Sequence, residues 1–161
     1  MTNHTKSAVL DIEIEIIHKC FTEQKIAKGQ VLAEHTCKWI SELDVDDMPR
    51  VHGDTIKSFT DANRTSSQIT DLYPFDNDFV IFSQDQINEH AMSDGNLLKE
   101  RHPGSQGLLS VSRVGFGRDN TEALLAIKFT YGFDAAGGNL YLYNYDGRDW
   151  QPGNTVWGYT C

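Results

Sequence analysis

The chain is poor in basic residues, in cysteine and in long apolar runs, and each shortage excludes something. Fourteen Lys and Arg stand against 23 Asp and Glu, a formal net charge of −9. Nucleic-acid binding needs a cationic footprint to displace counterions from phosphates, and anionic lipid surfaces need the same, so neither partner is expected. A basic protein or a small ligand is the partner class that remains. The cysteines Cys20, Cys37 and Cys161 cannot all pair within one chain, and none belongs to a CxxC pair, so no disulfide framework is expected. No apolar stretch approaches the ~18 residues of a membrane span. The opening MTNHTKSAVLDIEIEIIHKC interrupts its apolar pattern with acids, unlike a signal peptide. The expected compartment is the cytoplasm, or the periplasm or exterior for a chain whose leader has been removed.

What is present suits one domain over 1–161. Hydrophobic residues at 39% and charged residues at 23% allow a core without staples. The strongest local signal runs from Leu108 to Gly132, two apolar runs separated by the turn formers Gly117, Asp119 and Asn120. Setting Phe116 opposite Thr121 puts Val114, Phe116, Leu125, Ile127 and Phe129 on one face, the expected core. Arg113, Glu122, Leu124 and Lys128 then form a mixed outer face. In that register Arg113 lies diagonal to Glu122, within reach of a cross-strand ion pair.

Along the rest of the chain, residues 7–24 read as a helix capped by Ser7 and closed by Gly29, and residues 30–40 as extended. Residues 42–54 form an acidic loop. A calcium loop beginning at Asp44 is excluded, because Pro49 occupies the sharp-turn position and no Glu closes it. A short helix follows Asp54, with Ile56 and Phe59 on one face. Residues 79–82 read as a buried strand. Ser83 with Gln86 makes a capping box for the next helix, and GNLLKER forms another short one before Pro103. Strands are expected at 108–116, 121–131, 139–145 and 154–160, with a tight turn at Asp146-Gly147. The fold class is therefore α+β, with N-terminal helices packed on a C-terminal antiparallel β-meander.

Two functional classes follow. One is a binding or interaction module that uses its sheet face and acidic loops. Its candidate contact residues are Tyr141, Tyr143 and Tyr145 on one strand face and Asp44, Asp46 and Asp47 in the acidic loop, the latter suited to a basic partner. The other is a small hydrolase or lyase with an acid–base set of His102, Asp85 and Arg113 near the loop HPGSQG. No GxSxG elbow is present, and GFGRDN lacks the strand–GxGxxG–helix context of a dinucleotide site, so no cofactor is expected. His35 and Cys37 would point the same way on a strand, whereas His18 and Cys20 diverge on a helix. Neither pair amounts to a metal site, and no metal is expected.

The run HPGSQGLLSVSRVGF, a polar turn and TEALLAIKF resemble a group of uncharacterised bacterial proteins. Their shared pattern is an extended segment ending near a Thr, a short helix, a Pro/Gly loop and SRVGF before an ALVYV-like strand. The matching pieces here are Val31–Thr36, Thr55–Asn63, Phe82–Ile87, Pro103–Phe116 and Glu122–Phe129, with a closing GRDW…VW. The resemblance implies a fold and no reaction, since that group has no established activity. Many of its members look exported, and they often carry cysteines where FTYGFDAAGGNLY keeps only the glycines.

Overall fold

The computed structural model describes residues 3–38, 48–73, 78–93, 96–132 and 135–160. Its elements are α1 (Asn3–Glu23), β1 (Val31–Ala33), α2 (Gly53–Ala62), α3 (Ile69–Leu72), β2 (Val80–Phe82), α4 (Gln84–Met92), α5 (Asn96–Arg101), β3 (Leu108–Val111), β4 (Gly115–Phe116), β5 (Glu122–Thr130), β6 (Ala136–Asn144) and β7 (Asn154–Thr160). Helical spacing wins in α1, which begins ahead of Ser7 and buries Ile16, Ile17, Cys20 and Phe21. It stops at Glu23, not at Gly29. The Ile26 N–H donates to the Phe21 carbonyl and the Lys25 N–H to that of Thr22, while Lys25 takes the left-handed conformation at φ 54°. This is a Schellman ending, and Ile26 and Phe21 close it by packing in the same core. The capping box of α4 forms as expected, with Ser83 and Gln86 bonding each other's backbone N–H.

The strands make one seven-stranded sheet in the order β2-β1-β3-β5-β6-β7, with β4 paired to β5. β1 runs parallel to both β2 and β3, and the remaining pairs are antiparallel. The expectation of helices followed by a purely antiparallel meander is thus corrected: the α+β content holds, but the sheet is mixed and helices alternate with its first strands. Parallel neighbours need crossover connections, and here helices supply them. The runs Val-Leu-Ala and Val-Ile-Phe are too short to display a strand period in the sequence. Among the described residues, no helix is long and apolar enough to cross a membrane.

Both faces of the sheet are covered. On one, α1 and α3 pack over Leu109, Val111, Leu125, Ile127 and Tyr143. The expected core face is correct in that Val114, Phe116, Leu125, Ile127 and Phe129 all lie in this cluster. The expected register is not. Phe116 pairs with Ala123, and Leu109 and Val111 join Val114 and Phe116 on the same face. Residues 112–114 stand opposite only 125–126, so one extra residue reverses the alternation between β3 and β4. The strand expected over 108–116 is accordingly two.

The outer face is also corrected. Leu124 and Ala126 are buried with Leu140 and Leu142 beneath Ile56 and Phe59 of α2. The approach of α2 is close enough that a Cβ on Gly115 would lie 2.3 Å from the Phe59 Cα, which explains a glycine there. Glu122, expected beside Arg113, instead closes the start of α2. Its carboxylate accepts the His52 N–H at 3.0 Å and the Thr55 hydroxyl, with the His52 imidazole at 2.9 Å.

Two buried faces make a clear expectation. Leu124→Ala and Leu125→Ala should each cost about 2–5 kcal/mol in urea unfolding, the usual range for a buried Leu. An unchanged midpoint for Leu124→Ala would mean that α2 does not cover that face.

Candidate functional site

The helix-covered second face leaves a gap. α2 covers its β5–β6 end, while α4 and α5 cover Val31, Ala33 and Leu108 at the other. Between them lies a cleft of about 450 Å³, floored by Ser110 of β3 and by Lys128 and Thr130 of β5. Its walls are Ile87, His90 and Ala91 of α4 on one side and His35–Lys38, the segment after β1, on the other. Volumes of roughly 300–1,000 Å³ are those of small-ligand sites.

His90 is the notable group in this cleft. Its residue is 1% exposed, and neither ring nitrogen has a hydrogen-bond partner among the described residues. A buried polar group in that condition costs about 1–3 kcal/mol. Burial pushes its proton affinity below the ordinary value of 6.5, and the Thr130 backbone, near the ring but outside hydrogen-bond geometry, pulls it part of the way back. The ring is therefore neutral near pH 7, with one donor and one acceptor nitrogen to offer.

The other lining groups set the charge. Burial pushes the Cys37 thiol up to about 12, against the pull of the Lys128 ammonium, so Cys37 keeps its proton at neutral pH and presents no thiolate nucleophile. Lys38 and Lys128 make no ion pair among the described residues, and no Asp or Glu lines the cleft there. Glu34 sits outside it, 3.8 Å from His35 Nδ1, and accepts hydrogen bonds from the Gln84 N–H and Gln68 Nε2.

Of the residues singled out in the sequence, His35 and Cys37 both reach this cleft. Among the described residues, no three His, Cys, Asp or Glu groups gather as metal ligands. His102, Asp85 and Arg113 each have neighbours of their own. The His102 ring meets Phe82 edge-on at 5.5 Å, Asp85 is exposed in the first turn of α4, and Arg113 is engaged by α1. A smaller cleft of about 220 Å³ lies beside the loop HPGSQG, between Pro103, Ser105, Gly107 and Tyr131. None of those three residues lines it. The loop itself is held by the buried Gln30, which accepts from the Gln106 N–H at 2.7 Å and donates to the Gly104 carbonyl at 3.1 Å.

Tyr141 and Tyr143 lie beneath α1, their hydroxyls donating to Gln24 at 3.1 Å and Glu23 at 2.8 Å. Tyr145 is 40% exposed and tilts against Trp150. Asp44, Asp46 and Asp47 lie outside the described residues, as does Cys161; Cys20 and Cys37 are free thiols.

Arg113 belongs to a network of its own. The Glu13 carboxylate, 1% exposed, accepts Arg113 Nε at 2.7 Å and Nη2 at 2.9 Å, the Tyr73 hydroxyl at 2.8 Å and the Val114 N–H at 2.8 Å. Its hydrogen bonds to Glu13 raise the proton affinity of Arg113, and burial together with the Glu13 charge raises that of Tyr73, so both remain donors. From the other side, buried Asn63 accepts the Arg113 N–H at 2.8 Å and donates to its carbonyl at 3.0 Å. The cross-strand pair expected between Arg113 and Glu122 is thereby corrected: the extra residue at 112–114 turns Arg113 toward α1.

His90, Ser110, Lys128 and Thr130 were not candidate site residues in the sequence, where only Lys128 was placed, on the outer face of the hairpin. A signal existed for His90, which shares a helical stripe with Ile87 at i−3. A histidine on an apolar stripe is either satisfied or waiting for a partner, and the sequence cannot say which. The chain matches no protein-family model, no curated protein and no solved structure, so its chemistry has to be argued from its own residues.

Two measurements test this geometry. In double-mutant cycles, Arg113→Ala and Glu13→Ala should couple by about 1–3 kcal/mol, whereas Arg113→Ala and Glu122→Ala should add to within ~0.5 kcal/mol. The reverse pattern would restore the cross-strand pairing. For His90, the folded state holds the proton more weakly than the unfolded chain. Below about pH 6.5 the unfolded chain is therefore favoured, and above it the effect disappears. The Tm of His90→Phe relative to the native protein should rise as pH falls from about 7.5 to about 5.5; His35, Lys38 and Lys128 face the same cleft and are common to both proteins. Parallel curves would mean that burial does not perturb this ring.

Proposed function

We propose that the protein is a non-enzymatic binding module whose small ligand sits in the cleft between α4 and the floor of β3 and β5. The observation that carries this reading is His90, a buried imidazole without a hydrogen-bond partner among the described residues, lining a cleft of ligand size. A bound molecule that bonds the ring offsets the desolvation of that side chain, which gives the cleft a reason to bind. The sheet contributes through Ser110, Lys128 and Thr130, on the opposite face from Tyr141 and Tyr143. The protonated Cys37 thiol and the engagement of Arg113 by Glu13 favour binding over catalysis.

The test is a panel of four-carbon probes, butyrate, butyramide, butylammonium and butanol, titrated into the full chain and followed by protein NMR. At least one should move the His90, Ser110 and Thr130 signals, and Ser110→Trp, which fills the floor, should abolish the shift while the protein stays folded. No shift from any probe would overturn the reading, and so would shifts confined to the cleft at Pro103 and Tyr131.

A further inference from the structure

The charge of the cleft departs from that of the chain. The protein as a whole carries −9, yet the described lining of this cleft contains Lys38, Lys128, His35 and His90 and no carboxylate. Among the described lining residues the two lysines make the local charge positive, with the Glu34 carboxylate beside His35 as the acidic neighbour that the structure shows. Low-dielectric walls strengthen the field of such charges. Lys128 and Thr130 lie two residues apart on one face of β5, about 7 Å along the strand. The Thr130 backbone is close to the His90 ring, and the Lys128 charge is felt at the Cys37 thiol in the same lining. The ammonium and the Ser110 hydroxyl opposite it share the floor, and the imidazole borders it from the α4 wall.

Ala33, Ile87, Ala91 and Leu108 form an apolar patch of the lining, beside the polar side chains of Thr36, Ser66 and Gln84. The described lining thus joins two lysines and several hydroxyl and amide groups to an apolar patch, which fits a molecule with one anionic head and a short hydrocarbon body.

We infer that the ligand is a small organic acid, its carboxylate on Lys128 and the floor hydroxyls and its apolar body against Ile87, Ala91 and Leu108, with His90 donating to the head group. This rests on the proposed binding role of the same cleft. Neutral imidazole and protonated Cys37 suit that assignment, since neither adds negative charge. Lys38, exposed at the mouth, adds attraction for an incoming anion.

The four-carbon panel separates the inference from the reading beneath it, with inorganic phosphate added as an anion lacking a body. Near neutral pH, butyrate should bind at least about tenfold more tightly than butyramide, the scale of one charge-assisted hydrogen bond. Lys128→Met should remove about tenfold from butyrate and leave butyramide within about twofold, and Lys128→Arg should restore butyrate. The butyrate-to-butyramide ratio is read in the native protein, so it decides even where the Met variant folds poorly. Butyramide binding as well as butyrate would overturn the organic acid and leave a ligand cleft standing. Phosphate binding more tightly than butyrate would overturn the apolar body. Silence of every probe at His90 and Ser110 would overturn both the inference and the binding role.

Discussion

One carboxylate in α1 organises the centre of this molecule. Glu13 is buried, and a buried carboxylate is costly unless its lone pairs are met by donors. Here a guanidinium fork, a phenol and a backbone N–H converge on it from β3–β4 and the residue after α3. That demand fixes where α1 lies on the sheet and holds Val114 in position. Asn63 grips the backbone of Arg113 from the end of α2, so helices on the two faces meet at a single residue of the sheet. Ser112 completes the join, its hydroxyl accepting the Ala126 N–H where a ladder carbonyl would otherwise stand. The motif Ser-Arg-Val-Gly-Phe is therefore a structural knot, each residue there for a separate reason.

Much of this was legible where local rules are strong. The capping box of α4, the turn near Asn120 and the run of strands after it follow from residue type and period. The core face of the hairpin was legible because Leu125, Ile127 and Phe129 alternate without interruption. What failed depended on distant partners. Glu-Ala-Leu-Leu-Ala-Ile is apolar at both parities, the mark of a strand buried on both sides, yet nothing local names α2 as the second cover. The extra residue at 112–114 is invisible because its polar side chains are explained only by Glu13 and Asn63. The pairing of Arg113 with Glu122 was a local guess, overruled by a carboxylate a hundred positions away.

The cleft was less legible than the fold. His35 and Cys37 stood out as a pair pointing one way, and they do share its wall. Lys128 read as part of a mixed outer face, which it would be if no helix crossed beside it. A cleft is an incompletely covered sheet face, and incomplete coverage is a property of how helices of fixed length tile a surface. α4 and α5 leave one part of the face open and α2 covers another, so the polar residues between them are neither core nor ordinary exterior.

The distance along the chain between Glu13 and its partners has a kinetic consequence. During synthesis α1 emerges well before Tyr73, Arg113 and Val114, so it waits with Ile16, Ile17, Cys20 and Phe21 uncovered and its carboxylate unmet. Closing a loop of that length is entropically unfavourable until the hairpin gives α1 a surface to dock on, and such non-local contacts slow folding. A helix made before its partners thus depends on them to settle, and until then its apolar face is open to misassociation.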